Sequence, residues 1–143
     1  MAEIFHQLAI KASAATVFDA ISTPTGLDKW WTLRAKGNPG LDATYELYFG
    51  PGYDWRAVVS QFVPDREFEL HMIQAMPDWV GARVGFLLSE ENGITTVRFR
   101  HTGWPEPSEH FRISSYCWAT YLRLLKRYLE HGEIVAYSER DDA

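Results

Sequence analysis

Hydrophobic and polar positions divide the chain into a helical beginning, a strand-rich middle and a helical end. Residues 4–11 alternate loosely between apolar and polar and predict an opening strand. Ser13 then stands where a helix N-cap is expected, and the apolar residues after it recur with a helical period as far as Ile21. Thr23-Pro24 ends this helix and begins a second, because proline fits a first helical turn but not an interior one. The second helix is short and is predicted to carry Leu27, Trp30 and Trp31.

Between residues 32 and 102 the helical period disappears and apolar residues recur at every second position, which is typical of strands. Turn sequences lie at 50–52, 64–65, 76–78 and 92–93, and Asn92-Gly93 is typical of a tight hairpin. Because strands joined by short turns pair with their neighbours, we predict an antiparallel meander. Its inward positions include Tyr45, Leu47, Phe49, Phe68, Leu70, Met72, Val84, Phe86, Leu88, Val97, Phe99 and His101. Glu67, Glu69 and His71 are predicted to face water.

A second helical region follows the strands and is the longest in the chain. Residues 103–107 contain two prolines and predict an irregular segment that ends at Ser108, a candidate N-cap. The helix is predicted over residues 109–131 and closes at Gly132. Its apolar stripe is Phe111, Ser115, Trp118, Leu122, Leu125 and Leu129. We therefore predict one domain over residues 1–132 and an acidic tail over 133–143.

The order of elements indicates an α+β fold. One long helix laid across a concave antiparallel sheet buries its apolar stripe there. The two short helices after the first strand can cover only one end of that groove. We therefore expect a pocket in the remaining wedge between the long helix and the sheet.

Two segments carry a family resemblance. Residues 12–21 (ASAATVFDAI) and 23–31 (TPTGLDKWW) resemble the N-terminal signature of the SRPBCC (START-like, helix-grip) superfamily. More narrowly, they are similar to homologues of the activator of heat-shock protein 90 ATPase. The strand end at 98–103 and the last helix agree with that signature. The resemblance implies about seven antiparallel strands wrapped around a long C-terminal helix and a largely apolar cavity. Members bind lipids, sterols, polyketides or hormones, and some catalyse cyclisation or hydrolysis.

Composition narrows the candidate functions. Six Trp, seven Tyr and eight Phe make up 15% of the chain, enough either to fill a thick core or to line a cavity for an apolar guest. The net charge of -5 argues against binding to nucleic acid or to an anionic membrane surface. No apolar run reaches the roughly 18 residues of a membrane span. The single cysteine, Cys117, fits a reducing cytoplasm.

The leading hypothesis is that the wedge binds a small apolar or aromatic ligand, lipid-like or polyketide-like, without a cofactor. His101 and Tyr45 are expected to orient its polar end, although a histidine tied to the protein itself is the alternative for His101. The predicted ligand-binding residues are Trp31, Tyr45, Phe49, Met72, Phe86, Phe99, His101, Phe111, Ser115 and Trp118.

Motifs for other chemistries are missing from the sequence. No Cys and His spacing fits a metal site, no glycine-rich turn fits a phosphate, and no nucleophile elbow is present, so no catalytic residue is assigned. Two alternatives stay open. One is a chaperone-associated interaction protein, with a chaperone or a second copy of the chain as partner. The other is a cyclase-like or hydrolase-like enzyme, which needs a second polar group, such as a carboxylate beside His101.

Overall fold

The computed structural model describes residues 1–143 and contains one seven-stranded sheet, three α-helices and a C-terminal 3-10 helix. The strands are β1 (Ala2–Ile10), β2 (Arg34–Lys36), β3 (Thr44–Tyr48), β4 (Asp54–Val63), β5 (Glu67–Gln74), β6 (Arg83–Glu91) and β7 (Ile94–Trp104). The helices are α1 (Ala14–Ser22), α2 (Pro24–Leu27) and α3 (Glu109–His131), and the 3-10 helix covers Tyr137–Asp142.

The sheet is an antiparallel meander that is closed at one edge by the first strand. Its order is β1-β7-β6-β5-β4-β3-β2, so β2 to β7 each pair with their neighbours in sequence and β1 pairs with β7. At the β6–β7 turn Asn92 and Gly93 have φ values of 55° and 78°, the conformation that a tight hairpin needs. The predicted α+β helix-grip architecture is confirmed.

Side-chain caps set the helix boundaries where the sequence predicts them. Ser13 accepts a hydrogen bond from the backbone N–H of Thr16, and Ser108 accepts one from Phe111. Gly132 ends α3 with a φ of 69°, the left-handed conformation that glycine adopts without strain. Ser108 and Gly132 fix the two ends of α3 and therefore the position of every side chain along it.

Three local predictions are corrected by the structure. The second helix ends at Leu27, so Trp30 and Trp31 lie in the turn that follows it, where both backbone N–H groups bond to the Leu27 carbonyl. Strand β7 continues to Trp104, which lies opposite Ala2 and is fully buried, so this residue belongs to a strand and not to a loop.

The third correction concerns the outer face of β5. Glu69 is predicted to be solvated, but its side chain is only 9% exposed. Arg83 and Arg100 cover the carboxylate and bond to it, and the Ser60 hydroxyl also donates to it. A buried carboxylate is tolerated here because these donors replace its lost water.

The core lies between the concave face of the sheet and the helices. On α3 the buried side chains are Ser114, Trp118, Leu122, Leu124 and Leu125. The stripe that the sequence predicts therefore holds at Trp118, Leu122 and Leu125, but the residue buried one turn before Trp118 is Ser114 instead of Ser115. This one-residue difference decides which polar group faces the interior near the site.

Candidate functional site

A cavity of about 360 Å³ lies beside the first half of α3. Its volume falls in the range of roughly 300–1,000 Å³ that ligand pockets occupy. Three other surface hollows, of 410–630 Å³, have polar or charged residues at half or more of their lining positions. The lining of the cavity beside α3 consists of Trp31, Phe49, Tyr53, Trp55, Met76, Trp79, His110, Ile113, Ser114, Cys117, Trp118, Tyr121 and Tyr137.

Five of these side chains form a closed circuit of aromatic rings, which we call the aromatic collar: Trp31, Phe49, Trp55, Trp79 and Trp118. The ring centroids of successive members are 5.0 Å apart from Trp118 to Trp31, 5.4 Å to Phe49, 5.1 Å to Trp55 and 4.8 Å to Trp79, and 6.2 Å from Trp79 back to Trp118. Such distances are those of favourable aromatic pairs. Each ring is therefore held in place by two others.

The collar is assembled from parts of the chain that are far apart in sequence. Trp31 comes from the turn after α2, Phe49 follows β3, and Trp55 is on β4. Trp79 comes from the turn between β5 and β6, and Trp118 comes from α3. The site therefore exists only when the sheet and the long helix have docked.

The cavity opens to solvent at an apolar rim. Tyr53 is 49% exposed, Met76 is 38% exposed and Ile113 is 51% exposed, although all three line the cavity. A rim of this composition lets an apolar molecule enter without meeting a charge.

The C-terminal segment forms one wall of the cavity. The Tyr137 hydroxyl donates to the carbonyl oxygen of Phe49 at 2.9 Å. The Arg140 side chain is buried and donates to the carbonyl oxygens of Asp28 at 2.8 Å and Thr32 at 3.2 Å. Burial lowers the pKa of this guanidinium from its ordinary value. The predicted acidic tail thus contributes a wall residue and an anchor, while the proposed division of the chain at residue 132 stays a prediction.

Polar groups are few in the cavity. Nδ1 of His110 donates to Oδ2 of Asp78 at 2.7 Å, and Ser114 lies one helical turn further along α3. Cys117 also lines the cavity, and burial raises the pKa of its thiol, which makes it a weak nucleophile. A carboxylate therefore stands beside a histidine near this cavity, but the histidine is His110 and not His101.

The structure brings three of the ten predicted ligand-binding residues into the cavity lining. These are Trp31, Phe49 and Trp118, all members of the aromatic collar. Five others lie outside the lining and are essentially inaccessible in the packed core: Tyr45, Met72, Phe86, Phe99 and His101. The centre of the sheet is filled by these side chains, and the cavity lies toward one end of α3. Their role as ligand contacts stays a prediction.

The Tyr45 hydroxyl and Nδ1 of His101 have protein partners, whereas Nε2 of His101 is buried without one. The Tyr45 hydroxyl donates to the carbonyl oxygen of Ser22 at 2.5 Å, and burial raises the pKa of Tyr45 to about 12. Nδ1 of His101 accepts a hydrogen bond from Trp118 Nε1, and burial, together with the nearby charge of His110, lowers the pKa of His101 to about 3. His101 is therefore a neutral core residue at physiological pH.

The last two predicted residues lie on α3 outside the cavity lining. Phe111 is half-buried and packs edge-on against Trp104, with ring centroids 5.3 Å apart. Ser115 faces β1, where its carbonyl oxygen accepts a hydrogen bond from Nε2 of His6 at 3.2 Å.

Sequence reasoning missed Trp79 and His110, the most informative side chains of the site. Trp79 follows Pro77-Asp78 in a turn and belongs to no helix or strand. A large aromatic residue in a loop is a signal of a functional position, and it could have identified Trp79. His110 occurs within the first turn of α3 without a partner close in sequence. Its partner, Asp78, is 32 residues away and could not be inferred from spacing.

Two further observations concern metal binding and membrane insertion. No cluster of three or more His, Cys, Asp or Glu side chains is arranged to hold a metal ion. None of the helices combines the length and the apolar composition needed to cross a membrane.

Comparison with known proteins places the chain in context. A family model described as Activator of Hsp90 ATPase homolog 1-like protein matches residues 11–130. None of the curated proteins matches the chain. The solution structure of the Aha1 dimer from Colwellia psychrerythraea is 31% identical in sequence, with a TM-score of 0.84, over 93% of this chain and 99% of that one.

More distant structures share the fold. A protein of Staphylococcus saprophyticus is 16% identical with a TM-score of 0.78, over 94% of this chain and 96% of that one. CalU16 from Micromonospora echinospora is 18% identical with a TM-score of 0.71, over 98% of this chain and 83% of that one. At these identities the similarity establishes the architecture alone.

Proposed function

Because this chain belongs to the family of Activator of Hsp90 ATPase homolog 1-like proteins, whose helix-grip fold it shares, we propose that its cavity binds a small apolar or aromatic ligand. The observation that carries the proposal is the aromatic collar. Eight of the thirteen lining residues are Phe, Tyr or Trp, and the rim around the opening is apolar. Flat aromatic walls on several sides favour a flat apolar guest, because stacked and edge-on ring contacts add to the gain from burial.

The expected affinity follows from the buried area. A ligand that buries about 250 Å² of apolar surface, the area of one large aromatic side chain, gains about 6 kcal/mol. This free energy corresponds to a Kd on the order of 10–100 µM. Each ring of the collar is held by two others, so little of this gain is spent on ordering side chains.

The experiment uses naphthalene as a probe with two readouts. Calorimetric titration measures its Kd, and the rate at which a thiol reagent modifies Cys117, the only cysteine of the chain, reports occupancy of the cavity. We expect binding in the range given above and slower modification of Cys117 when naphthalene is present.

A matched pair of variants locates the binding. Cys117→Phe places a ring inside the cavity and is expected to raise the Kd of naphthalene at least about 10-fold. Ala119→Phe makes a similar change on an exposed position of the same helix and is expected to leave the Kd unchanged. Absence of binding by the unmodified protein, or equal binding by Cys117→Phe, contradicts the proposal.

A second candidate function is contact with another protein. It is supported by the family's name and by the Colwellia psychrerythraea relative, which is described as an Aha1 dimer. The exposed apolar side chains at Tyr53, Met76 and Ile113 offer a surface that a second copy or a chaperone would cover. Sedimentation of the chain alone tests the dimer, and the ATPase rate of heat-shock protein 90 with and without the chain tests the chaperone. A monomer at all concentrations and an unchanged ATPase rate reject this candidate.

A further inference from the structure

The polar side chains of the cavity are confined to one small area. Eleven of the thirteen lining residues are hydrophobic, and the other two are His110 and Ser114. They are four residues apart on α3, so they lie on the same face of the helix, one turn from each other. No lysine or arginine lines the cavity. The lining tyrosines and Trp79, whose indole N–H is buried without a partner, add only hydroxyls and one donor, so the imidazole of His110 is the one nitrogen acceptor that a ligand meets.

Both groups have free hydrogen-bonding capacity. Ser114 is only 5% exposed, yet its hydroxyl makes no hydrogen bond within the protein. The imidazole of His110 uses Nδ1 to bind Asp78, and Nε2 has no partner within the protein. Neither atom is among the fully buried unpaired atoms of the protein, and the His110 side chain is 34% exposed. Both groups are therefore open to water or to a ligand.

Asp78 determines what His110 offers to a ligand. A carboxylate can only accept, so Nδ1 of His110 carries the proton in their hydrogen bond. In the neutral imidazole Nε2 is then left with a lone pair and acts as an acceptor. The Trp79 ring also stacks against His110, with an interplanar angle of 28°, and restrains its orientation.

We infer that the cavity selects aromatic ligands that carry a hydroxyl group, a phenol or an enol, whose O–H donates to His110 Nε2 and whose oxygen accepts from Ser114 Oγ. The inference rests on the proposed function and names the chemical class of its ligand. An ether or a carbonyl compound has no proton for Nε2. A carboxylate would approach a lone pair in a cavity without a cation to balance its charge.

The test compares three probes that share one ring system: naphthalene, 2-methoxynaphthalene and 2-naphthol. Calorimetric titration of the full chain at pH 8.5 is expected to give a Kd for 2-naphthol about 10-fold below that for 2-methoxynaphthalene. In His110→Phe this ratio is expected to fall to about 1, and in Ser114→Ala it is expected to lie in between. The control His131→Phe changes the exposed histidine at the other end of α3 and is expected to keep the ratio.

Asp78 is tested as a positioning residue by a readout that does not depend on affinity. In the unmodified protein, ¹⁵N spectra of the imidazoles are expected to show the proton of neutral His110 on Nδ1. In Asp78→Asn the amide can donate to Nδ1, so the proton is expected to move partly to Nε2 and the preference for 2-naphthol to weaken.

The outcomes separate this inference from the proposed function. Equal Kd values for 2-naphthol and 2-methoxynaphthalene overturn the selection for a hydroxyl group while leaving the aromatic cavity intact. A preference that persists in His110→Phe overturns it as well, provided that naphthalene affinity and circular dichroism show that the variant is folded. If none of the three probes binds, the inference and the proposed function both fail.

Discussion

Trp118 on α3 donates a hydrogen bond from its indole nitrogen to Nδ1 of His101 on β7, across 3.0 Å. Both side chains are almost completely buried. The bond joins the long helix to β7, the strand next to the edge strand β1, and fixes the Trp118 ring, which is also a member of the aromatic collar. The core residue His101 therefore acts on the cavity through Trp118, although it does not line the cavity itself.

A double-mutant cycle measures this connection. His101→Phe removes the acceptor and leaves the indole N–H buried without a partner, which is expected to cost about 1–3 kcal/mol of the free energy of unfolding. Once Trp118 is already Phe, the same change is expected to cost less, because no donor is stranded. Denaturant unfolding of the four proteins gives the coupling energy. A coupling of zero means that the hydrogen bond does not contribute to stability.

Acid is expected to destabilise the protein through His101. Its folded pKa is about 3, against 6.5 for the free side chain. Between these values the unfolded chain binds a proton that the folded chain does not, so stability falls as the pH falls, by about 1.4 kcal/mol per unit at most.

The matched comparison is with His101→Gln, which keeps an acceptor for Trp118 but does not titrate. From pH 6.5 to pH 5 the unmodified protein is expected to lose about 1.6 kcal/mol more unfolding free energy than this variant. Other titrating groups are common to both proteins and cancel. Parallel pH profiles for the two proteins are incompatible with a buried neutral His101.

Gly85 makes room for the ion pairs on the outer face of the sheet. A Cβ at this position would lie 2.5 Å from Cζ of Arg100, whose guanidinium bonds to Glu67 and Glu69. Gly85→Ala is therefore expected to displace Arg100, leave Glu69 undercompensated and cost about 2 kcal/mol at pH 7. Thermal or denaturant unfolding measures the loss.

The charge of the Glu69 carboxylate tells whether this loss comes from the ion pairs. Burial favours a higher pKa for Glu69, but hydrogen bonds from Ser60 and Arg100 outweigh it and keep the pKa below 4.5. The stabilisation is thus present above pH 4.5 and is lost as the pH falls through the folded pKa. The penalty of Gly85→Ala is expected to shrink in a Glu69→Gln background. An equal penalty in both backgrounds indicates strain in the strand and not a lost ion pair.

Deletion of residues 133–143 is expected to open the cavity. It removes Tyr137 from the wall and Arg140 from the carbonyl oxygens of Asp28 and Thr32. We expect faster modification of Cys117 by a thiol reagent and a loss of about 2 kcal/mol in stability. Arg140→Met keeps the segment but removes its anchor and is expected to show a smaller change in the same direction. An unchanged Cys117 rate after deletion means that the segment does not close the site.

Local chemistry is sufficient to determine most of the elements of this protein, although not the end of α2, the end of β7 or the 3-10 helix. Ser13, Ser108 and Gly132 mark helix ends through hydrogen bonds and a backbone conformation that depend on neighbouring residues only. Asn92-Gly93 marks a hairpin for the same reason. Alternation with a period of two places Val97, Phe99 and His101 on one buried face, as the structure confirms. The family resemblance adds the number of strands, about seven, and their wrapping around the long helix, whereas the pairing of β1 with β7 comes from the structure.

The site could be predicted only in part. Trp31, Phe49 and Trp118 are predictable from the sequence, because large aromatic residues on inward positions near a wedge are good candidates for its walls. That Tyr45 and His101 lie in the packed core and not in the cavity lining does not follow from the sequence, since an inward position does not tell whether the space in front of it is filled. The choice between Ser114 and Ser115 depends on the rotation of α3 against the sheet, which a helical period fixes only to within about one residue.

The sequence by itself therefore determined most of the secondary structure and the antiparallel pairing of consecutive strands, because both depend on local periods, caps and turns. Its composition also provided the aromatic residues from which the site is built. Only the tertiary structure decided where the cavity lies, which rings close the aromatic collar, and that Asp78 meets His110. These features join residues that are tens of positions apart, and packing of the whole core sets the distances between them.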